Sequence, residues 1–129
     1  MDRLREASEE AGVLCLAATD PVNLYGGALA LPPAFAGCRR APGALVCLVE
    51  GALVIWVEKG GRSAAVDPAV EGATLRRALD GLAGATVRGP PLRLGKVNGL
   101  SIGESPLLAA LIAAGAEREG SALRIGRGY

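Results

Sequence analysis

The stretch ALVCLVEGALVIWV, which covers residues 44–57, decides the fold of this chain. Two apolar runs flank the dipeptide EG, and short apolar runs joined by two residues that include glycine are typical of a β-hairpin. A two-residue loop would place Leu45 opposite Trp56 and Cys47 opposite Val54. Neither run alternates apolar with polar residues, so we expect both faces of the hairpin to be covered.

Further strands are predicted on both sides of this hairpin. The turn KGGR at residues 59–62 leads into a strand at Ser63–Val66, which makes three antiparallel strands in succession. The continuous apolar run at 13–18 predicts another strand upstream. Between them, residues 28–42 contain three prolines and predict an irregular, packed crossing.

Two helices are predicted in the second half of the chain. The first begins at Asp67-Pro68, an N-cap followed by proline at the first helical position, and ends at Gly84. Its apolar face consists of Leu75, Leu79 and Leu82. Ser105-Pro106 repeats the start signal for a helix that ends near Gly115.

The second predicted helix contains no polar side chain between residues 106 and 114. A helix that is apolar on all sides is normally buried, so it lies either at the centre of the domain or against a neighbour, and both alternatives remain open. Residues 85–104 predict one or two strands with a turn at Asn98-Gly99, and Ala122–Ile125 predicts a closing strand.

These elements predict an α+β fold with a hairpin-rich antiparallel sheet and two packed helices, and whether the sheet closes like a barrel is left open. The length of 129 residues fits a single domain spanning residues 1–129. Residues 1–11 predict a short polar helix that acts as a linker to something upstream.

Composition restricts the class of protein. Half of the residues are apolar and the net charge is +1, which neither requires nor excludes a polyanionic partner. The three cysteines form no C-x-x-C motif and histidine is absent, so we expect neither a zinc site nor a disulfide, and we predict a reducing, cytoplasmic compartment. Nothing resembles a signal peptide or a membrane-spanning segment.

The same inventory argues against catalysis by this chain alone. Without histidine there is no Ser-His or Cys-His pair, and the GGRS sequence at 60–63 lacks the lysine and spacing of a Walker A loop. We therefore assign no catalytic residue, cofactor or metal, and expect no ATP hydrolysis. Asp20 could serve as a general base, but it lies in a loop of turn-forming residues, so a turn role is favoured.

Two segments could bind nucleic acid. Lys59 and Arg62 flank two glycines whose amides a phosphate could approach, although cations at a hairpin tip often only face water. Asn23 and Tyr25 could present an amide and a ring to a base, although the surrounding loop is rich in turn-forming residues. Arg39 and Arg40 form a dibasic step and are further candidate phosphate ligands.

Several motifs, in order, resemble one family. The segment TDPVNLYG at 19–26 resembles the DPANPYG stretch near the C-terminus of large helicase-related (Lhr-type) proteins. The segments at 43–46, 50–53 and 58–62 together resemble that family's GALVVLVDGELALYLERGGR region. Downstream, a helix, a VNG turn at 97–99, a Ser-Pro-Leu helix and a terminal strand follow in the same order.

The resemblance implies a C-terminal accessory module of a DEAD/DEAH-box ATP-dependent DNA helicase involved in DNA repair. Implied partners are DNA, single-stranded or duplex, and the upstream helicase and winged-helix domains. A DNA glycosylase activity is associated with the larger C-terminal region of the family, so a part in base excision is an alternative. A purely structural role in self-association or interdomain docking is another.

Overall fold

The computed structural model describes residues 12–27, 29–85 and 91–126. The predicted linker helix at 1–11 lies outside these ranges. Within these ranges, two α-helices and mostly antiparallel sheets confirm the α+β prediction. The strands and helices are β1 (Val13–Ala17), β2 (Leu45–Val49), β3 (Ala52–Val57), β4 (Ser63–Val66), α1 (Gly72–Ala85), β5 (Leu92–Leu94), β6 (Lys96–Val97), β7 (Leu100–Ser101), α2 (Leu108–Ala113), β8 (Glu117–Glu119) and β9 (Ala122–Ile125).

The strands form two sheets. The larger has six strands in the order β1-β2-β3-β4-β6-β7, and the smaller has three in the order β5-β9-β8. All pairings are antiparallel except that of β4 with β6. Within the described ranges neither sheet closes into a barrel. The crossing between β1 and β2 contains one short 3₁₀ helix, Pro33–Phe35, and is otherwise irregular, as predicted.

The central hairpin forms where it was predicted, but its register differs. Glu50 and Gly51 both have positive φ, 52° and 82°, as the two central residues of a type I′ turn require. A β-bulge then shifts the pairing, so that Cys47 lies opposite Ile55 and Val46 opposite Trp56. The predicted pairs of Leu45 with Trp56 and Cys47 with Val54 are therefore wrong, because an extra residue in β3 breaks the simple count.

The bulge has a packing consequence. Val54 and Ile55 are consecutive, yet both belong to the core on one face of the large sheet, whereas Leu53 and Trp56 belong to the core on the other face. A bulge allows two neighbouring residues to share a face, which strict alternation forbids. Both faces of the hairpin are covered, as the lack of alternation predicted.

Each face of the large sheet has its own cover. Helix α1 packs on β1, β2 and β3, with Leu75, Leu79 and Leu82 buried. Gly81 permits this approach, since a Cβ there would lie 2.8 Å from both Cys15 Sγ and a methyl of Val13. The opposite face is covered by the crossing segment, which buries Phe35 and Cys38 against Trp56.

Both helices are shorter than predicted. Helix α1 begins at Gly72, because the Asp67 carboxylate accepts a hydrogen bond from the amide of Ala69 (3.0 Å) and forms a separate turn before the helix. In front of α2, the Ser105 hydroxyl oxygen accepts a hydrogen bond from the amide of Leu107 (3.1 Å). No helix in the described part of the chain has the length and apolar content to cross a membrane.

Cys15 and Cys47 form a disulfide, so the prediction that no disulfide exists is wrong. The two residues lie directly opposite one another on β1 and β2, with their Cα atoms 4.3 Å apart. Such a short separation is typical of a non-hydrogen-bonded antiparallel pair. Because the two positions are 32 residues apart in the sequence, their spacing gave no indication of this contact.

Candidate nucleic-acid interface

The turn between β3 and β4 presents Lys59 and Arg62 to solvent. Gly60 and Gly61 adopt positive φ, 94° and 72°, and the Gly61 amide donates a hydrogen bond to the carbonyl of Glu58 (2.9 Å). Both cationic side chains are exposed, and neither has an ion-pair partner among the residues that the structure describes. Within the described part of the chain, two cations that form no ion pair are thus held in one tight turn.

The backbone of Arg62 is held by hydrogen bonds from the segment that leads into β6. Its carbonyl oxygen accepts hydrogen bonds from the amides of Gly95 (2.7 Å) and Lys96 (3.2 Å). These contacts attach the turn to β6, which pairs in parallel with β4. The side chain of Arg62 therefore projects from a backbone that two strands hold in place.

A surface cleft of about 410 Å³ opens beside this turn. We call it the turn cleft, and it is lined by Gly43, Leu45, Val57, Gly60, Gly61, Arg62, Pro91, Leu92 and Arg93. Its floor is aliphatic, while Arg62 and Arg93 contribute cationic groups. The stem of Lys59 lies along the rim, because its Cγ would be 3.3 Å from a Cβ placed on Gly43.

Arg93 differs from Arg62 because it has an anionic partner. Its Nε donates a hydrogen bond to the carboxylate of Glu119 (3.2 Å), and the other oxygen of that carboxylate lies 3.4 Å from Arg124. Glu119 is thereby shared between Arg93 and Arg124, and Arg124 also pairs with Glu117, so two arginines face two carboxylates on this wall. Exposed pairs of this kind contribute little to stability, roughly 0–1 kcal/mol.

The loop after β1 uses its polar groups internally. The side chain of Asn23 is fully buried, where its amide donates to the Ala18 carbonyl (2.8 Å) and its oxygen accepts from the Tyr25 amide (3.2 Å). The Tyr25 hydroxyl donates to the carbonyl of Gly51 (3.0 Å). In this arrangement Asn23 presents no surface to a base, and Tyr25 links the loop to the central hairpin.

The two arginines of the dibasic step have different environments. Arg40 donates from Nε to the Ala18 carbonyl (3.1 Å) and from Nη2 to the Asp20 carbonyl (3.3 Å), so it holds the same loop from outside. Arg39 is exposed and has no side-chain partner within the described residues. Of the candidate cations, Arg40 is engaged in the fold, whereas Arg39 resembles Lys59 and Arg62.

Cys38 links the crossing segment to the turn. Burial raises the pKa of its thiol to about 11, and the charge of the nearby Glu58 carboxylate and a hydrogen bond to it act in the same direction. This contact places residue 38 beside residue 58. Arg39 and Lys59 are the next residues of these two segments, so they start from neighbouring points of the backbone. Arg39, Lys59 and Arg62 thus lie on segments that meet near the turn.

Comparison with known proteins supports the resemblance found in the motifs. The chain is 34% identical to a protein of Mycolicibacterium smegmatis named "Lhr helicase/ probable uracil glycosylase", over 97% of this chain and 9% of the relative. It is 32% identical to the "Lhr helicase/uracil glycosylase" of Escherichia coli K12, over 89% of this chain and 8% of that relative. The chain resembles a region of an Lhr-type helicase.

The match has a defined extent. The chain spans less than a tenth of the length of either Lhr relative. No protein-family model matches it. The resemblance therefore concerns one region of a much larger protein, and the similarity runs through nearly the whole domain described above.

Sequence reasoning found the KGGR turn but missed the turn cleft. Pro91, Leu92 and Arg93 precede or occupy β5, about thirty positions after Arg62, and belong to the smaller sheet. Their approach to the turn depends on how the two sheets are placed. One feature of the local sequence could have indicated the cleft, namely the two glycines at 60 and 61. The absence of a side chain at Gly61 leaves room for Leu92, since a Cβ on Gly61 would lie 3.1 Å from a methyl of Leu92.

Proposed function

We propose that this chain is a DNA-binding module of an Lhr-type helicase, which contacts phosphates through Lys59, Arg62 and Arg39. The single observation that carries the proposal is the pair of exposed cations at one glycine turn, with no anionic partner in the described ranges. Like charges held close together repel one another, and a bound phosphate relieves that repulsion. The Lhr resemblance supports DNA as the polyanion.

The remaining candidates contribute differently to this proposal. Arg40 and Asn23 hold the loop after β1 by hydrogen bonds to the carbonyl of Ala18, so their side chains shape the surface rather than reach for a ligand. Tyr25 is half-buried and hydrogen-bonded through its hydroxyl. We therefore expect substitution of Lys59 and Arg62 to weaken binding without unfolding the protein, and substitution of Arg40 to act through stability.

The test measures how DNA affinity depends on salt. A ligand that neutralises phosphates releases counterions, so the logarithm of the binding constant falls linearly with the logarithm of the salt concentration. The slope changes by about 0.9 per phosphate contact for duplex DNA and about 0.7 for single strands. The K59Q/R62Q double variant should therefore lower the magnitude of the slope by about 1.8 on duplex and about 1.4 on single strands.

The R76Q/R118Q double variant is the matched control. Both side chains are exposed and their removal lowers the net charge by the same amount, but Arg76 lies on α1 and Arg118 on β8. This control variant should show the same dependence of DNA affinity on salt concentration as the parent chain. Salt-independent binding by the parent chain, or an equal loss of slope in both double variants, would refute contact through the turn.

A second candidate, interdomain docking, is favoured by the outer face of α2. The inward side of this helix buries Leu111, whereas Ile112 is 44% exposed and Ala109, Ala110 and Ala113 are also exposed. An exposed apolar stripe on a short helix is typical of a surface that meets other protein. Sedimentation velocity of the chain and of I112S tests this: association that disappears in I112S supports docking, and a monomer at every concentration argues against it.

A part in base excision is the remaining alternative, and it is favoured by the relatives' names, which include uracil glycosylase. Its candidate base, Asp20, uses Oδ1 to accept a hydrogen bond from the amide of Val22 (2.8 Å), as a turn-forming aspartate does. Release of uracil from DNA by the chain, with loss of that activity in D20N, would support an enzymatic role. Equal or zero release would remove it.

A further inference from the structure

We propose that the turn cleft accepts the base and sugar of one unpaired nucleotide, and that this module therefore prefers single-stranded over duplex DNA. The inference rests on the proposed function, since it assumes that Lys59 and Arg62 hold the flanking phosphates. It adds a selectivity that phosphate contacts alone cannot supply, because single strands and duplexes both carry phosphates. The base stays paired and inaccessible in a duplex.

The chemistry of the cleft fits a nucleotide in two parts. Leu45, Val57 and Leu92 form an aliphatic floor, and Pro91 adds its apolar pyrrolidine ring to the lining. Apolar side chains of this kind can bind the face of a base by removing it from water. The volume of about 410 Å³ lies in the range of roughly 300–1,000 Å³ that small-molecule sites occupy.

The charged groups are placed for the phosphates of the same nucleotide. Arg62 lines the cleft and Lys59 lies along its rim, while Arg93 on the opposite wall is paired with Glu119. An unpaired nucleotide carries an apolar face next to an anion, so an aliphatic floor beneath a cationic rim is complementary to it. The carbonyl of Arg62 accepts hydrogen bonds from two amides, so the backbone from which its side chain projects is fixed.

Rigidity of the floor favours this use. Val57 is buried in β3, where it pairs with Leu45 of β2 on one side and with Ala64 of β4 on the other. The other two floor residues are also part of strands, since Leu45 is the first residue of β2 and Leu92 the first residue of β5. A preformed site binds with a smaller loss of side-chain freedom than one that must be assembled.

The test compares strands with equal phosphates and different bases. Fluorescence anisotropy is measured with a labelled oligothymidine, with an abasic strand of the same length, and with a duplex of that length. Removing about 40 Å² of apolar base surface from water should raise affinity for the oligothymidine over the abasic strand by about fivefold. The duplex should behave like the abasic strand once the difference in charge density is corrected through the salt slope.

Two variants make the floor of the cleft polar. L45Q and L92Q each replace an aliphatic side chain of the floor by a neutral amide, so both should reduce the preference for the oligothymidine while leaving affinity for the abasic strand unchanged. Thermal unfolding followed by far-UV circular dichroism establishes that each variant folds. If neither folds, the comparison of intact and abasic strands with the parent chain still decides the question.

The outcomes separate this inference from the proposed function. Equal, salt-dependent affinity for intact and abasic strands would overturn the cleft and leave phosphate binding intact. A preference for bases that persists unchanged in both folded variants would also overturn it, because the bases would then lie elsewhere. The absence of salt-dependent binding to every strand would remove both proposals together.

Discussion

Replacing Asn98 by alanine should destabilise the protein through the turn between β6 and β7. The side chain of Asn98 acts as a strand partner: its oxygen accepts a hydrogen bond from the amide of Val66 (2.8 Å), and its amide donates to the Val66 carbonyl (3.0 Å). Val66 ends β4 and is fully buried. Asn98 also has a φ of 53°, a region that asparagine tolerates and alanine does not.

The size of the loss follows from these contacts. Each hydrogen bond contributes about 1 kcal/mol, and an alanine in the left-handed region costs about 1–2 kcal/mol. N98A should therefore lower the free energy of unfolding by about 3–4 kcal/mol, a large part of the stability of a domain of this size. N98G loses the hydrogen bonds but tolerates positive φ, so it should lose only about 2 kcal/mol.

N98D separates the two hydrogen bonds. Its carboxylate can still accept from the Val66 amide, but its second oxygen would face the Val66 carbonyl, which favours the protonated acid and raises the pKa of the new carboxyl. A raised pKa in the folded state stabilises the protein below the unfolded value and is lost as pH rises. Stability of N98D relative to the parent chain should therefore increase toward acidic pH.

Urea unfolding measures these differences, with the fluorescence of Trp56 as the probe, since it is the single tryptophan and is fully buried. Unchanged slopes of free energy against urea would show that the variants differ in stability and not in the surface exposed on unfolding. A loss below 1 kcal/mol in N98A, or equal losses in N98A and N98G, would refute the role assigned to Asn98.

Two further predictions concern the cysteines. The disulfide of Cys15 and Cys47 closes a loop with a sequence separation of 32, so its reduction, or the C15S/C47S variant, should cost about 3–4 kcal/mol in urea unfolding, and an unchanged midpoint would count against it. Because the pKa of Cys38 is raised from its ordinary value of 9.0 to about 11, the folded protein keeps this proton after the unfolded chain has lost it, so stability should fall between pH 9 and 11. Iodoacetamide should accordingly label Cys38 very slowly at pH 8 and faster toward pH 11, and rapid labelling of the folded protein at pH 8 would contradict this environment.

The parts of the fold that were predictable depend on neighbouring residues. The strand bounds of β3, β4 and β9 agree with the patterns of their own residues, and the positive φ of Gly51 follows from the two-residue loop. Register was not predictable in this way. The bulge between β2 and β3 lets Val54 and Ile55 enter one core together, which is a property of the packed sheet and leaves no mark on a continuous apolar run.

The disulfide and the cleft were missed for a related reason. Cys15 and Cys47 meet because β1 adds to the edge of the hairpin, and nothing between them in the sequence indicates this pairing. An odd number of cysteines and the absence of a C-x-x-C motif favoured reduced thiols, but neither observation constrains which strands are neighbours. Leu92 reaches Gly61 only after the smaller sheet has been placed beside the larger one.

Polar residues that look alike in the sequence have different roles here because of how their hydrogen-bonding groups are used. Arg40 and Asn23 donate to the same carbonyl, that of Ala18, and so their hydrogen-bond donors stabilise the loop after β1. Arg62 is the reverse case: its backbone carbonyl accepts two amides while its side chain is exposed. Since a group that already has its partners gains little from a ligand, the side chains without partners on a fixed backbone are the ones with binding energy still to contribute. On that ground, contact with DNA should be measured first at Lys59 and Arg62. The loop after β1 comes second, although its sequence resembles a family motif more closely.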